Sequence, residues 1–202
     1  MREGASVGLI ILGGGAATRC PGKLERPIGD LPMLVRTCRN LGERYPTYIC
    51  LSADSDSAAR LRLNAEILLD REPLSGPLRA LVDAFEAVRE PRAFVVAGDM
   101  PLVQAGALRE LLEHWESGDQ AVVALDEDGR LQPLLAIYDR AAFLRAAASR
   151  DAECDGVKDV LSSLRWRGIT LPDPAMLANV NTEEQYRAAL REFAGAAIPR
   201  SA

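Results

Sequence analysis

Residues Leu9 to Lys23 read LIILGGGAATRCPGK: an apolar run, three glycines, then Arg19 and Lys23 four positions apart. Glycines at the end of an apolar strand let a backbone come close to a ligand, and two cations just beyond suit an anionic one. Phosphate is the natural candidate, with the amides of Gly13, Gly14 and Gly15 and the side chains of Arg19 and Lys23 able to hold a triphosphate. A tight turn carrying two solvated cations is the plainer alternative. Two familiar phosphate loops are excluded. A Walker A loop would need glycine at Ala17 and a hydroxyl at Leu24, and the dinucleotide fingerprint fails at Thr18.

Asp99 follows AFVVAG and precedes Met-Pro, so its carboxylate should emerge at a strand end with the backbone held by Pro101. Magnesium takes few carboxylates and completes its shell with phosphate and water oxygens, which one aspartate opposite a phosphate loop would satisfy. An ordinary loop aspartate is the competing reading. Asn179 and Asn181 lie two apart, so in an extended segment both amides face the same way. They either complete a metal or substrate site or cap the final helix. Ser52 and Asp70 close two further apolar runs and are weaker candidates, readable as plain loop polar groups. The only histidine, His114, sits in a helical pattern beside Trp115 and reads as a helix-surface residue, which leaves no Ser-His-Asp triad.

The elements that must position these groups follow from periodicity. Val7 to Leu12 is a continuous apolar run of the kind found in strands covered on both faces. Tyr48 to Ser52, Glu66 to Leu69 and Ala93 to Ala97 are further strands, and helices are predicted over Leu31 to Leu41, Ala53 to Leu63, Leu78 to Val88 and around Leu108 to Trp115. GPL at Gly76 to Leu78 reads as the start of a helix. Strand and helix alternate four times, which implies a doubly wound, mostly parallel α/β sheet with right-handed crossovers. The loops after its strands, holding the glycines, Ser52, Asp70 and Asp99, should then converge on one crevice.

Strands are expected at Gln120 to Leu125, Leu131 to Tyr138 and Trp166 to Leu171, with helices at Ala141 to Ala148 and Val157 to Leu164. Thr182 and Gln185 form a capping-box pattern for a last helix through about Phe193. With no repeat or linker, residues 1–202 read as a single domain with a frayed tail over 196–202.

Charge and composition narrow the partners. A net charge of -5 argues against a general nucleic-acid or anionic-membrane binder, while still permitting a local basic pocket. Cys20, Cys38, Cys50 and Cys154 show no CxxC spacing and read as reduced thiols of a cytoplasmic protein rather than disulfides or a zinc site. The run VGLIIL is too short for export or for spanning a bilayer.

Taken together, these residues resemble the molybdenum cofactor guanylyltransferase family, within the nucleotidyltransferases that share a Rossmann-like sheet of the nucleotide-diphospho-sugar-transferase type. The carriers are LGGGAATR and GK within Leu12 to Lys23, D-x5-GPL at Asp70 to Leu78, GDMPL at Gly98 to Leu102, QPLLAIY at Gln132 to Tyr138 and NVNT at Asn179 to Thr182. They stand in the family's order and span most of the chain. Members usually carry a slightly longer run with an aspartate where this chain has Cys20-Pro21-Gly22. The resemblance implies transfer of GMP from GTP to molybdopterin with Mg2+ and release of pyrophosphate, with cofactor-delivery proteins as further partners. It places the Leu12-Gly13-Gly14 backbone and Lys23 at the GTP, Ser52 and Asp70 near the guanosine, Asp99 on Mg2+, and Asn179 and Asn181 on the metal or pterin side. Arg19 and Lys23 would offset phosphate charge. The rivals are a cytidylyltransferase, from which the extra glycine in the first loop points away, a sugar-phosphate enzyme, and a nucleotide-binding module without turnover.

Overall fold

All six residues of β1 (Val7–Leu12) are buried, and their side chains divide between two cores as the twofold period of a strand requires. Leu9 and Ile11 pack with one hydrophobic cluster, Ile10 and Leu12 with the other. This strand is the centre of the computed structural model, which describes residues 7–13, 22–51, 64–69, 76–149 and 156–196. The segment expected to form a helix over residues 53–63 lies outside them.

Around β1 stand β4 (Thr47–Leu51) on one side and β6 (Arg92–Ala97) on the other, both parallel to it. The short strands β2 (Pro27–Ile28) and β3 (Leu31–Pro32) form a separate hairpin. With β5 (Glu66–Leu69), β7 (Ala121–Leu125), β8 (Leu131–Asp139) and β9 (Trp166–Thr170), the main sheet has the order β5-β4-β1-β6-β8-β7-β9. The chain therefore runs outward from β1 through β4 and β5, then returns to the far side of β1 at β6. That reversal creates a switch point between β1 and β6, where ligands bind in sheets of this kind. The sheet is mostly parallel, as expected, and β8 alone runs antiparallel to its neighbours β6 and β7.

The helices cover both faces. Helix α1 (Met33–Leu41) contributes Leu34, Cys38 and Leu41 to the first cluster, and α3 (Ala105–Glu113) contributes Ala107, Leu108 and Leu111. On the opposite face lie α2 (Gly76–Ala87), α4 (Arg140–Ala148) and α5 (Val157–Ser162). There Phe85 stacks on Phe143 with 4.4 Å between centroids, and Tyr138 meets both rings edge-on. The Tyr138 hydroxyl donates to Pro133 O, and burial pushes its ionisation far above the usual tyrosine range. Helix α6 (Glu183–Ala196) packs with β2 around a third, smaller cluster. Among the described residues no helix is long and apolar enough to cross a membrane.

Among the described residues the expected elements are present with small shifts at their ends. The helix anticipated from Leu31 begins at Met33, because Leu31 and Pro32 pair with Ile28 and Pro27. Asp139 both ends β8 and caps α4, its Oδ1 accepting from Ala142 N at 2.7 Å. Asp139→Ala should cost about 1 kcal/mol of stability, measurable as a lower urea midpoint with an unchanged slope.

Candidate functional site

The ends of β1 and β6 approach more closely than side chains would allow. A Cβ on Gly98 would lie 2.8 Å from Leu34 Cδ1, 2.9 Å from Leu12 O and 3.3 Å from the Cα of Gly13. One on Gly13 would lie 2.7 Å from Leu51 Cδ2. Both backbone N–H groups are used by the sheet, Gly13 N donating to Cys50 O and Gly98 N to Leu12 O, each at 2.8 Å. Gly13 therefore serves the packing of the strand ends against Leu51 and Leu34, and its amide is already committed to the sheet. Thr37, buried on α1, donates to Gly98 O or Met33 O at 3.1 and 3.2 Å. Asn40 Nδ2 donates to Pro101 O at 2.8 Å, so α1 fixes both sides of Asp99.

Asp99 leaves this rigid edge and meets Lys23. The Lys23 ammonium donates to Asp99 Oδ2 at 2.5 Å and to Asn181 Oδ1 at 2.8 Å. The Lys23 and Asp99 side chains are only 14% and 15% exposed, so the pair is shielded from water and costly to break on one side alone. Val180 N donates to Asp99 O at 2.9 Å, which ties the segment carrying the two asparagines to the end of β6. Three stretches remote in sequence thus converge beyond the carboxyl ends of β1 and β6.

The two asparagines part company. Asn181 touches Lys23, whereas Asn179 Nδ2 donates to Leu177 O and lines a cavity of about 490 Å3 with Leu102, Asp126, Gln132 and Gln185. Neither caps α6. That task falls to Thr182, whose Oγ1 accepts from Gln185 N at 3.2 Å, while Gln185 Oε1 accepts from the amides of Asn181 and Thr182. The capping box therefore forms and leaves the Asn181 side chain to Lys23.

The family model described as MobA-like NTP transferase domain matches residues 9–167, from within β1 into β9. The chain belongs to this family. It is a nucleotidyltransferase. Among its relatives, a probable molybdenum cofactor guanylyltransferase of Carboxydothermus hydrogenoformans is 27% identical over 193 residues, covering 92% of this chain and 95% of that one. Another of that name, from Chloroflexus aggregans, is 34% identical over 142 residues, 66% of this chain and 68% of the relative. The crystal structure of molybdopterin-guanine dinucleotide biosynthesis protein A from Archaeoglobus fulgidus superposes with a TM-score of 0.76 at 20% identity, over 93% of this chain and 98% of that one, a likeness of fold.

Of the site residues expected in this MobA-like domain, Leu12, Gly13, Lys23, Asp99 and Asn181 come together, and Asn179 stands beside them on the cavity wall. Gly14, Gly15, Arg19, Ser52 and Asp70 lie outside the described residues. His114 closes the exposed end of α3, its Nδ1 2.8 Å from Glu110 O, as read for a surface residue. Cys38 and Cys50 are buried, and burial pushes the Cys38 thiol up to about 12, which keeps it protonated and inert.

Sequence reading passed over Thr37, Asn40, Arg26 and Glu183. A hydroxyl at Thr37 on the apolar face beside Leu34 and Cys38 was the available signal, since a buried hydroxyl must find a partner. Arg26 and Glu183 gave none, because surface charges on distant segments look alike. They pair at 2.6 Å, and the hydrogen bond from Arg26 holds the Glu183 carboxyl below its ordinary range.

Proposed function

We propose that this MobA-like nucleotidyltransferase transfers GMP from GTP to the terminal phosphate of molybdopterin and releases pyrophosphate. The observation that carries the reading is the meeting of Lys23, Asp99 and Asn181 at the switch point, in a chain whose relatives along nearly its full length bear the name molybdenum cofactor guanylyltransferase. The GTP phosphates would lie along the β1 side, beyond Gly13, where Lys23 together with Arg19 would offset their charge. Ser52 and Asp70 would face the guanosine. The acceptor would enter from the side of Asn179 and its cavity.

Mg2+ is the cofactor this reading requires, and the donors suit it. Asp99 and Asn181 turn two oxygens toward one cation position, held by the Lys23 ammonium at 2.5 and 2.8 Å. Among the described residues no group of three or more His, Cys, Asp or Glu could hold a metal unaided. An ion here would depend on phosphate and water oxygens, which is the habit of magnesium. Asp99 would hold it with Asn181 beside it, and its contribution would be charge neutralisation at the phosphates.

The chain's own residues supply alignment. The attacking phosphate oxygen of the acceptor is already anionic, so no general base has to remove a proton, consistent with a site whose described residues include no histidine. The reaction forms a phosphoanhydride between the acceptor and the α-phosphorus and breaks the bond to pyrophosphate, which leaves with its electron pair. Lys23 steadies negative charge as that bond opens. The buried thiols Cys38 and Cys50 suit a cytoplasmic setting, where a protein delivering molybdopterin could dock.

Thermal denaturation with GTP, CTP, UTP or ATP, each with Mg2+, tests the base. At about 100 times its dissociation constant a nucleotide adds roughly 2.7 kcal/mol, and only GTP should give that shift. A shift with CTP alone would overturn the guanylyl assignment in favour of a cytidylyl one, and one with UTP alone in favour of a sugar-phosphate acceptor. Binding of GTP with no pyrophosphate release in the presence of molybdopterin would identify a nucleotide-binding module instead.

A further inference from the structure

Lys23 opens a 3-10 turn, Lys23–Glu25, that buries none of its residues. Within the turn Leu24 packs, partly buried, against the first and third clusters, which seats the turn without fixing the direction of the neighbouring ammonium. Further anchorage comes from the residues that follow. Arg26 N closes the turn on Lys23 O at 3.2 Å. The Arg26 guanidinium lies 3.6 Å from the centroid of the Tyr186 ring, and its Nη1 donates to Glu183 Oε2 at 2.6 Å. Tyr186 in turn donates from its hydroxyl to Pro27 O at 2.6 Å, and Ile28 packs with Val180, Tyr186 and Ala189. Arg26 thus joins the Lys23 turn to the first turns of α6, just after the point where Asn181 accepts from Lys23.

The Arg26 and Glu183 side chains are 31% and 53% exposed, and an ion pair so open to water adds little to stability. What it does add is geometry. A guanidinium stacks on an aromatic face and donates in plane at the same time, a combination that a lysine ammonium lacks. We propose that Arg26, stacked on Tyr186 and paired with Glu183, is the positioning residue that delivers the Lys23 ammonium to Asp99 and Asn181. Its consequence for nucleotide affinity rests on the function proposed above; its consequence for Lys23 does not.

The chain contains two lysines, Lys23 and Lys158, so the experiment can watch one ammonium directly. In protein labelled with 15N-lysine, an ammonium held by hydrogen bonds and shielded from water exchanges slowly enough to give a proton-nitrogen signal, whereas the exposed Lys158 should not. Lys158→Arg assigns the signal. Lys23 should be visible in the parent at mildly acidic pH, weakened in Arg26→Lys and Tyr186→Phe, and lost in Arg26→Ala. It should persist in Arg109→Ala, which breaks a surface pair on α3. Circular dichroism monitors folding, and the two milder variants carry the test if Arg26→Ala does not fold. A missing signal in the parent, or one unchanged by all the Arg26 and Tyr186 substitutions, would overturn the proposal.

Nucleotide affinity supplies the second arm. Arg26→Ala should weaken GTP binding about tenfold in the parent and not at all in a Lys23→Ala background, the non-additivity expected when one residue acts through another. Equal losses in both backgrounds would refute the route through Lys23. If the Lys23 signal responds to Arg26 while neither Arg26→Ala nor Lys23→Ala alters binding of GTP or CTP, the positioning role stands and the nucleotide reading of the site fails.

Discussion

Under the proposed function, asparagine in place of Asp99 should lower pyrophosphate release from GTP by about 10²–10³-fold, the usual loss when one preorganised charge-stabilising group is removed. The substitution keeps the shape of the side chain and one carbonyl acceptor, so the contact with Lys23 at 2.5 Å can persist as a weaker hydrogen bond. What disappears is the negative charge that balances the ammonium and that a divalent cation would require. Because Val180 N still reaches Asp99 O through the backbone, the segment carrying Asn181 remains in place. The loss should therefore fall on kcat more than on the denaturation midpoint. Single-turnover assays with molybdopterin as acceptor, run across a Mg2+ titration, measure it. Near-parent release with unchanged Mg2+ dependence would remove Asp99 from the reaction.

Gly98→Ala should cost about 1–3 kcal/mol of stability, the range for forcing a methyl into packed surroundings. The Leu34 Cδ1 atom at 2.8 Å from the added Cβ could rotate away, but Leu12 O at 2.9 Å and Gly13 Cα at 3.3 Å belong to the backbone of the neighbouring strand. Leu12 O is also the acceptor for Gly98 N, so relief of the clash has to part β1 from β6. That movement carries Asp99 with it, and displacement of a reacting group by about 1 Å can cost 10²-fold in rate. Stability and activity should thus fall together, in contrast to Asp99→Asn. Gly106→Ala on α3 is the control, since its Cβ would come no closer than 3.8 Å to Arg109, and an exchange within a helix gains about 0.5–1 kcal/mol. Urea midpoints and transfer rates on the same preparations separate the two outcomes. A Gly98→Ala protein as stable and active as the parent would show that the strand ends are not rigid.

The sequence by itself determined the two-faced strands, because alternation in β1 has a period of two and needs no partner to be read: Leu9 and Ile11 go one way, Ile10 and Leu12 the other. It also determined the start of α6, since the Thr182 and Gln185 capping box is closed within one helical turn. The site's location was legible at one remove, because topology brings the ends of β1 and β6 to a single edge. The reversal of β8 was not legible, since an apolar run carries no sign of its direction and only pairing with β6 and β7 sets it. Nor was the partner of Lys23. The sequence pointed its ammonium toward phosphate, whereas the tertiary structure sets it on Asp99, 76 residues away, and Asn181, 158 residues away. The same holds for Arg26, whose stacking on Tyr186 exists only after hairpin and helix have docked. Local hydrogen bonding and periodicity are written into neighbouring residues. Contacts between charged side chains on distant segments depend on where the whole sheet places those segments, and that was decided only by the fold.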